Sequence, residues 1–102
     1  MEIRTGLAIE DTALHQLCVR HGVKRLALFG SALRDTFNAN SDIDILVEFI
    51  DGHSVGFLEI AEFELELGEL LSKREVEIRT LQDLSPFFRD QVRKESRELY
   101  AA

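Results

Sequence analysis

Two short polar clusters, separated by ten residues, are the part of this sequence best suited to chemistry. The first is Gly30-Ser31, and the second is Asp42-Ile43-Asp44. Residues i and i+2 of a β-strand point to the same face, so a strand through the second cluster brings its carboxylates together. Two close carboxylates repel each other, and a bound cation relieves that repulsion. Magnesium prefers a few carboxylates together with substrate phosphates, so the pair predicts a magnesium site.

The Gly-Ser cluster suits the phosphates of a nucleoside triphosphate. Gly30 lets a ligand approach the backbone closely. Ser31 offers a hydroxyl and a backbone N–H where a short helix could begin, and helix N-termini favour anions. A calcium-binding EF-hand is excluded, because Leu46 and Val47 stand where that loop needs other residue types. The two clusters together predict a site for a triphosphate and its magnesium.

Apolar runs on both sides of the clusters predict the strands that position them. The first strand is expected over Val23–Phe29 and the second over Asp42–Ile50, with a short helical turn and a polar loop between them. The connection is too short for the usual crossover helix of a parallel pair, so the strands should be antiparallel. The end of one then meets the start of the other, which places both clusters at one edge.

The remaining segments predict a helix over 9–21, a helix over 57–71, a third strand over 75–80 and a last helix opened by Ser85-Pro86 that extends through Leu99 and Tyr100. We therefore expect an α+β protein with a small mixed β-sheet and helices packed on one side, and treat residues 1–102 as a single domain. Cys18 should be buried packing. The three histidines, His15, His21 and His53, show no metal-ligand spacing with one another and are expected at helix surfaces, helix ends or a loop.

The chemical residues carry a resemblance to a known family. Gly30-Ser31, Arg34 and the Asp42-x-Asp44 pair before an apolar strand resemble the minimal nucleotidyltransferases, small members of the DNA polymerase beta superfamily. The resemblance implies the nucleotidyltransferase fold, and a third carboxylate on a later strand that is usually Asp. Here Glu77 occupies that position.

The resemblance also implies a role for each of these residues. Asp42, Asp44 and Glu77 would be the catalytic residues and would ligate two Mg²⁺ ions, and Glu77 would also help to draw the proton from the acceptor hydroxyl. The nucleotide-binding residues would be Gly30, Ser31 and Arg34. Glu75 shares a strand face with Glu77 and is the weaker candidate for the third carboxylate.

The resemblance implies a biological role as well. Free-standing family members of this size are typically antitoxins that transfer AMP from ATP to a tyrosine hydroxyl of a cognate HEPN-domain ribonuclease toxin. The Glu in place of Asp leaves open an antitoxin that binds its toxin with weak or lost chemistry. An enzyme acting on a small molecule or an RNA end is the third possibility.

The overall composition of the chain limits the classes of partner that it is expected to bind. The chain has 102 residues and a net charge of −7 at pH 7, which argues against a large footprint on duplex nucleic acid, because such footprints need clustered Lys and Arg. An acidic surface suits a basic partner. The sequence contains neither a recognisable secretory signal nor an apolar stretch of the ~20 residues that span a membrane. It therefore predicts a cytoplasmic protein with no membrane segment.

Overall fold

The computed structural model describes residues 1–4, 7–52 and 55–102 of the chain. In these ranges the strands are β1 (Glu2–Arg4), β2 (Leu7–Ala8), β3 (Val23–Phe29), β4 (Ile43–Phe49), β5 (Val76–Arg79) and β6 (Arg97–Ala101). The helices are α1 (Asp11–Arg20), α2 (Phe57–Leu70) and α3 (Arg89–Glu95), and short 3₁₀ turns occupy Gly30–Leu33 and Leu81–Asp83. None of the described helices has the length and apolar character needed to cross a bilayer.

The main sheet has four strands in the order β5-β4-β3-β6. Strand β3 runs antiparallel to both β4 and β6, whereas β4 and β5 are parallel. The predicted mixed sheet and the predicted antiparallel β3–β4 pair are therefore confirmed. A separate two-stranded sheet joins β1 to β2 at the N-terminus.

One face of β4 supplies the centre of the core. Ile43, Ile45 and Val47 alternate along the strand and are fully buried, as the period of two in a half-buried strand requires. Phe63 and Leu67 from α2 are buried in the same hydrophobic cluster, to which α1 also contributes. Cys18 of α1 is buried there as predicted, and burial raises the pKa of its thiol to about 12.

Both ends of the chain depart from the sequence prediction. The last helix does not begin at Ser85-Pro86 or continue through Tyr100. Helix α3 ends at Glu95, and Ser96 adopts an extended backbone conformation with φ −64° and ψ 146°. The following residues form β6, which pairs with β3 and so covers a strand edge that would otherwise carry unpaired N–H and C=O groups.

The N-terminal hairpin of β1 and β2 was also not predicted. It buries Ile3 and Leu7 in the core. The Arg97 guanidinium of β6 secures it by donating to the carbonyls of Ile3 (2.6 Å) and Glu2 (3.1 Å). The turn predicted after β4 is present at Asp51-Gly52, whereas its continuation at 53–54, including His53, lies outside the described residues.

Candidate active site

The backbone at the end of β3 approaches the strand that carries Asp44. After Phe29 the chain enters a 3₁₀ turn at Gly30, whose φ is +65°. A Cβ at this position would lie 2.5 Å from Oδ2 of Asp44, closer than real Cβ contacts come. Only glycine combines this left-handed backbone with room for the carboxylate. Gly30 is therefore required to seat the Asp44 side chain.

Ser31 holds the same carboxylate from the next position. Its backbone N–H donates to Asp44 Oδ2 at 3.2 Å, and its hydroxyl lies 3.2 Å from that oxygen. The hydroxyl also donates to the backbone carbonyl of Asp42 at 2.8 Å. The two polar clusters of the sequence therefore meet at one edge of the sheet, as the antiparallel pairing predicts.

Strand pairing brings the third acidic residue beside this pair. In the parallel β4–β5 ladder Asp44 is the partner of Glu77, while Ile43 pairs with Val76 on the core side. Adjacent strands lie about 4.8 Å apart. Glu77 and Asp44 thus point to the same face of the sheet, away from the core.

Arg79 and Glu75 lie close to the acidic residues described above. The Glu77 carboxylate forms an ion pair with the Arg79 guanidinium, and both side chains are roughly half-exposed. Glu75 is exposed and lies just before β5, where its backbone carbonyl accepts a hydrogen bond from Ile43 N–H at 2.9 Å. It lies next to the strand end from which Asp42 extends.

Arg34 follows the 3₁₀ turn as its C-cap residue. Its backbone N–H donates to the Ser31 carbonyl at 3.1 Å, and its side chain is exposed. A contact of Arg34 with phosphates stays a prediction.

The three acidic residues are of the type that magnesium binds, but their carboxylates do not come within 4.8 Å of one another as the ligand atoms of His21, Glu62 and Glu66 do. Asp42 is exposed and Asp44 and Glu77 are partly buried at the same edge, so all three offer oxygen ligands on the solvent side of the sheet. Magnesium takes such hard ligands and completes its shell with water and phosphate oxygens. One oxygen of Asp44 is engaged by Ser31, which orients the carboxylate in the manner of an outer-shell hydrogen bond to a ligating side chain.

A cavity of about 390 Å³ opens beside Asp42. The loop residues Asn40 and Ser41 line one part of it, and Lys73 and Glu75 line another. Arg74 also belongs to this wall and contacts the loop directly, a feature that the sequence pattern did not predict, because its partners are backbone carbonyls.

His21 lies at the end of α1, where it is the C-cap residue, as predicted. Its burial was not predicted, and its ring lies 5.0 Å from that of Phe63. Its ring nitrogens lie 3.2 Å from Glu66 and 3.7 Å from Glu59. The regular spacing of glutamates on α2 is the feature of the sequence that could have indicated these contacts with His21.

His21, Glu62 and Glu66 also have ligand atoms within 4.8 Å of one another. However, Arg20 forms an ion pair with Glu66, so one of the two carboxylates already has a counter-charge. We interpret the cluster as a polar contact between α1 and α2.

The chain is similar in sequence and in fold to known proteins. A family model described as nucleotidyltransferase domain matches residues 11–99. A protein of Methanocaldococcus jannaschii named "putative protein adenylyltransferase" is 40% identical over 80 residues, covering 78% of this chain and 83% of that protein.

Two solved structures share the fold. A structure of a "putative minimal nucleotidyltransferase" superposes with a TM-score of 0.71 at 34% identity and covers 97% of both chains. A toxin–antitoxin crystal structure with AMP-PNP has a TM-score of 0.69 at 23% identity, over 92% of this chain and 75% of that one. At that identity the second likeness shows the fold alone.

Proposed function

This chain belongs to the nucleotidyltransferase domain family, and from that premise we propose that it transfers AMP from ATP to a hydroxyl of a protein partner. The observation that carries the proposal is the register of Asp44 with Glu77 beside the Gly30-Ser31 turn. Nucleotidyl transfer needs carboxylates close to a segment that can approach phosphates, and the nearness of Asp44, Glu77 and the Gly30-Ser31 turn supports that role.

The chemistry is a substitution at the α-phosphorus. The acceptor oxygen forms a bond to that phosphorus, the bond to the β-phosphate bridging oxygen breaks, and pyrophosphate leaves. Mg²⁺ held by Asp42, Asp44 and Glu77 would neutralise developing charge on the phosphates. Ser31 and Gly30 would orient the triphosphate, and Arg34 would contact its outer oxygens.

Glu77 has a second role in this proposal. Its carboxylate would accept the hydroxyl proton as the acceptor oxygen attacks, which requires that it turn away from Arg79. Glutamate carries one methylene more than the aspartate usual in the resembling family. A displacement of about 1 Å can lower a rate by ~100-fold, so β5 must be positioned to compensate for the longer side chain.

The proposed acceptor is a tyrosine of a cognate HEPN-domain toxin, which would make this chain an antitoxin. Support comes from the name of the M. jannaschii relative and from the fold shared with a toxin–antitoxin structure. The net charge of −7 suits a partner with a basic surface. The antitoxin would silence its toxin by covalent modification.

Label transfer from ATP tests this proposal directly. The purified chain is incubated with Mg²⁺, with the HEPN-domain protein sought in the neighbouring gene (the co-encoded partner) and with ATP labelled either at the α- or at the γ-phosphate. Label in the partner from α-labelled ATP alone identifies nucleotidyl transfer. Label from γ-labelled ATP would indicate phosphoryl transfer and would contradict the proposal.

Two variants provide the matched comparison. Asp44→Asn should abolish the label, because it removes a metal ligand on β4. Asp51→Asn changes an exposed aspartate in the turn beyond the other end of β4 and should leave transfer unchanged. Equal loss in both variants would count against a site at Asp44.

The second candidate function is neutralisation by binding alone. It is favoured by the Glu77–Arg79 ion pair, which occupies the carboxylate that the chemistry needs. A partner that is silenced and co-purifies without acquiring label would support this alternative.

A further inference from the structure

We propose that Arg74 is a positioning residue for the active site, an inference that rests on the proposed function. It holds the loop over 36–41 against the start of β5, and so helps to set where Asp42 lies relative to Glu77.

The Arg74 guanidinium makes three contacts to the loop. One of its terminal nitrogens donates to the backbone carbonyl of Ser41 at 2.6 Å and to that of Asn38 at 2.9 Å. Its central carbon lies 4.9 Å from the centroid of the Phe37 ring, within the range of a cation–π contact. Because Ser41 directly precedes Asp42, this contact acts one residue from the proposed metal ligand.

The backbone that carries Arg74 is itself fixed from both sides. A Cβ on Gly68 of α2 would lie 2.7 Å from the Arg74 carbonyl oxygen, so helix and connection are in close contact. The Arg74 N–H donates to the Leu71 carbonyl at 3.2 Å, and the carbonyl of the next residue, Glu75, accepts from Ile43 at 2.9 Å. The Arg74 side chain therefore extends to the loop from a backbone segment that is held in place.

Phe37 anchors the first half of the loop, because it packs against the hydrophobic core. Polar contacts in the second half include local ones, such as Asn40 N–H to Asn38 Oδ1 at 2.8 Å and Asn38 N–H to Ser41 Oγ at 3.1 Å. These local contacts define the shape of the second half, and a further contact is needed to fix the position of the end next to Asp42. Hydrogen bonds from a charged donor are stronger than neutral ones, and arginine presents its donors in a rigid fork. Arg74 can therefore define that position.

The consequence for catalysis follows from geometry. Asp42 and Glu77 come from different segments. The Ser31 hydroxyl and the pairing of Ile43 with β5 hold the Asp42 backbone on its strand side, and Arg74 holds it on its loop side through Ser41. Errors of about 1 Å in the separation of Asp42 from Glu77 lower rates by ~100-fold without a comparable loss of substrate binding. Arg74 should therefore act mainly on kcat and on the Mg²⁺ requirement, while the KM for ATP changes little.

Three variants test the proposal. Arg74→Ala removes all three contacts, and Arg74→Lys keeps the charge but not the planar fork. Arg93→Ala is the matched control, because it removes an exposed arginine of α3 that contacts Glu48. Thermal unfolding of each variant establishes that it is folded before the other measurements are compared.

Amide hydrogen exchange is measured on the protein alone, and steady-state transfer is measured with the partner. For Arg74→Ala we expect exchange over 36–42 to rise by about tenfold or more while 23–29 is unchanged. We expect kcat to fall about 100-fold, the KM for ATP to stay within about threefold, and half-maximal activity to need more Mg²⁺. Arg74→Lys should lie between wild type and Arg74→Ala, and Arg93→Ala should match wild type.

Two results would overturn the proposal. One is unchanged exchange over 36–42 with kcat within about threefold of wild type in both Arg74 variants. The other is a uniform rise in exchange along the chain with equal losses in kcat and stability, which would mark a merely structural role. If wild type transfers no AMP, the proposed function fails, whereas the exchange data still decide whether Arg74 holds the loop.

Discussion

Replacing Gly30 with alanine should have two effects, which a matched control variant can separate. The first is the backbone conformation, since a φ of +65° is unfavourable for any residue with a Cβ. That conformation costs about 1–2 kcal/mol for an L residue. The second is the new Cβ, which would lie 2.5 Å from Asp44 Oδ2, whereas ordinary contacts begin near 3.4 Å.

Gly52→Ala is a matched control, because it carries the first effect without the second. Its φ is +83°, and apart from its chain neighbours no heavy atom of the described residues lies within 4 Å of its would-be Cβ. Gly52→Ala should lose about 1–2 kcal/mol of stability, which lowers Tm by about 4–16 °C in a protein of this size, and Gly30→Ala should lose at least as much. Only Gly30→Ala should also displace Asp44, by about 1 Å, and so lose ~100-fold in kcat.

The assay is AMP transfer to the partner at a temperature where both variants are folded, alongside thermal unfolding monitored by circular dichroism. A Gly30→Ala variant whose kcat stays within about threefold of Gly52→Ala would refute the reasoning, because the close approach to Asp44 would then have no catalytic consequence. Equal loss of activity in both variants would show that backbone strain alone accounts for the effect.

Three further predictions follow from single side chains. Glu77→Gln should lower kcat by ~100-fold or more while Tm changes little, because the residue is partly exposed and its ion pair with Arg79 is a surface pair; activity near wild type would remove Glu77 from the site. Ser31→Ala should lose about 1 kcal/mol of unfolding free energy, measured by urea denaturation, through its hydroxyl contact to the Asp42 carbonyl; unchanged stability would mean that this contact contributes nothing. Cys18 should resist thiol reagents in the folded protein, because a pKa of about 12 leaves almost no thiolate at pH 8; reaction as fast as in urea would contradict its burial.

The centre of the fold could be predicted because its signals are local. Alternation along Ile43–Phe49, and the short connection from Val23–Phe29, determine which side chains share a face and how the strands pair. Placing Val76 and Ile78 on the core side predicts the face that Glu77 occupies. These inferences need only periodicity and connection length, whereas the place of Glu77 beside Asp44 is what the family resemblance implied.

The ends of the chain depend on contacts between distant residues. Arg97–Ala101 is a short segment that reads equally well as the end of a helix, and its pairing with β3 decides the outcome. The N-terminal hairpin is stabilised by Arg97. Such non-local pairings leave no periodic signal in a short segment, since tertiary context overrides local preference there.

The same reasoning explains what was missed at the site. Asp42, Asp44, Gly30 and Ser31 are visible because their types and spacing match a chemical task. Arg74 makes its contacts with backbone carbonyls, which carry no residue signature. A residue that positions others is therefore harder to predict from sequence than a residue that would bind the ligand.

The most direct test of the central claim is the intact mass of the co-encoded partner after co-expression with this chain. We expect the partner to gain the mass of one or more AMP units with the wild-type chain and none with the Asp42→Ala/Asp44→Ala form. Peptide mapping should place the addition on a tyrosine. A partner that is silenced and co-purifies at its unmodified mass would contradict the enzymatic account and leave an antitoxin that acts by binding.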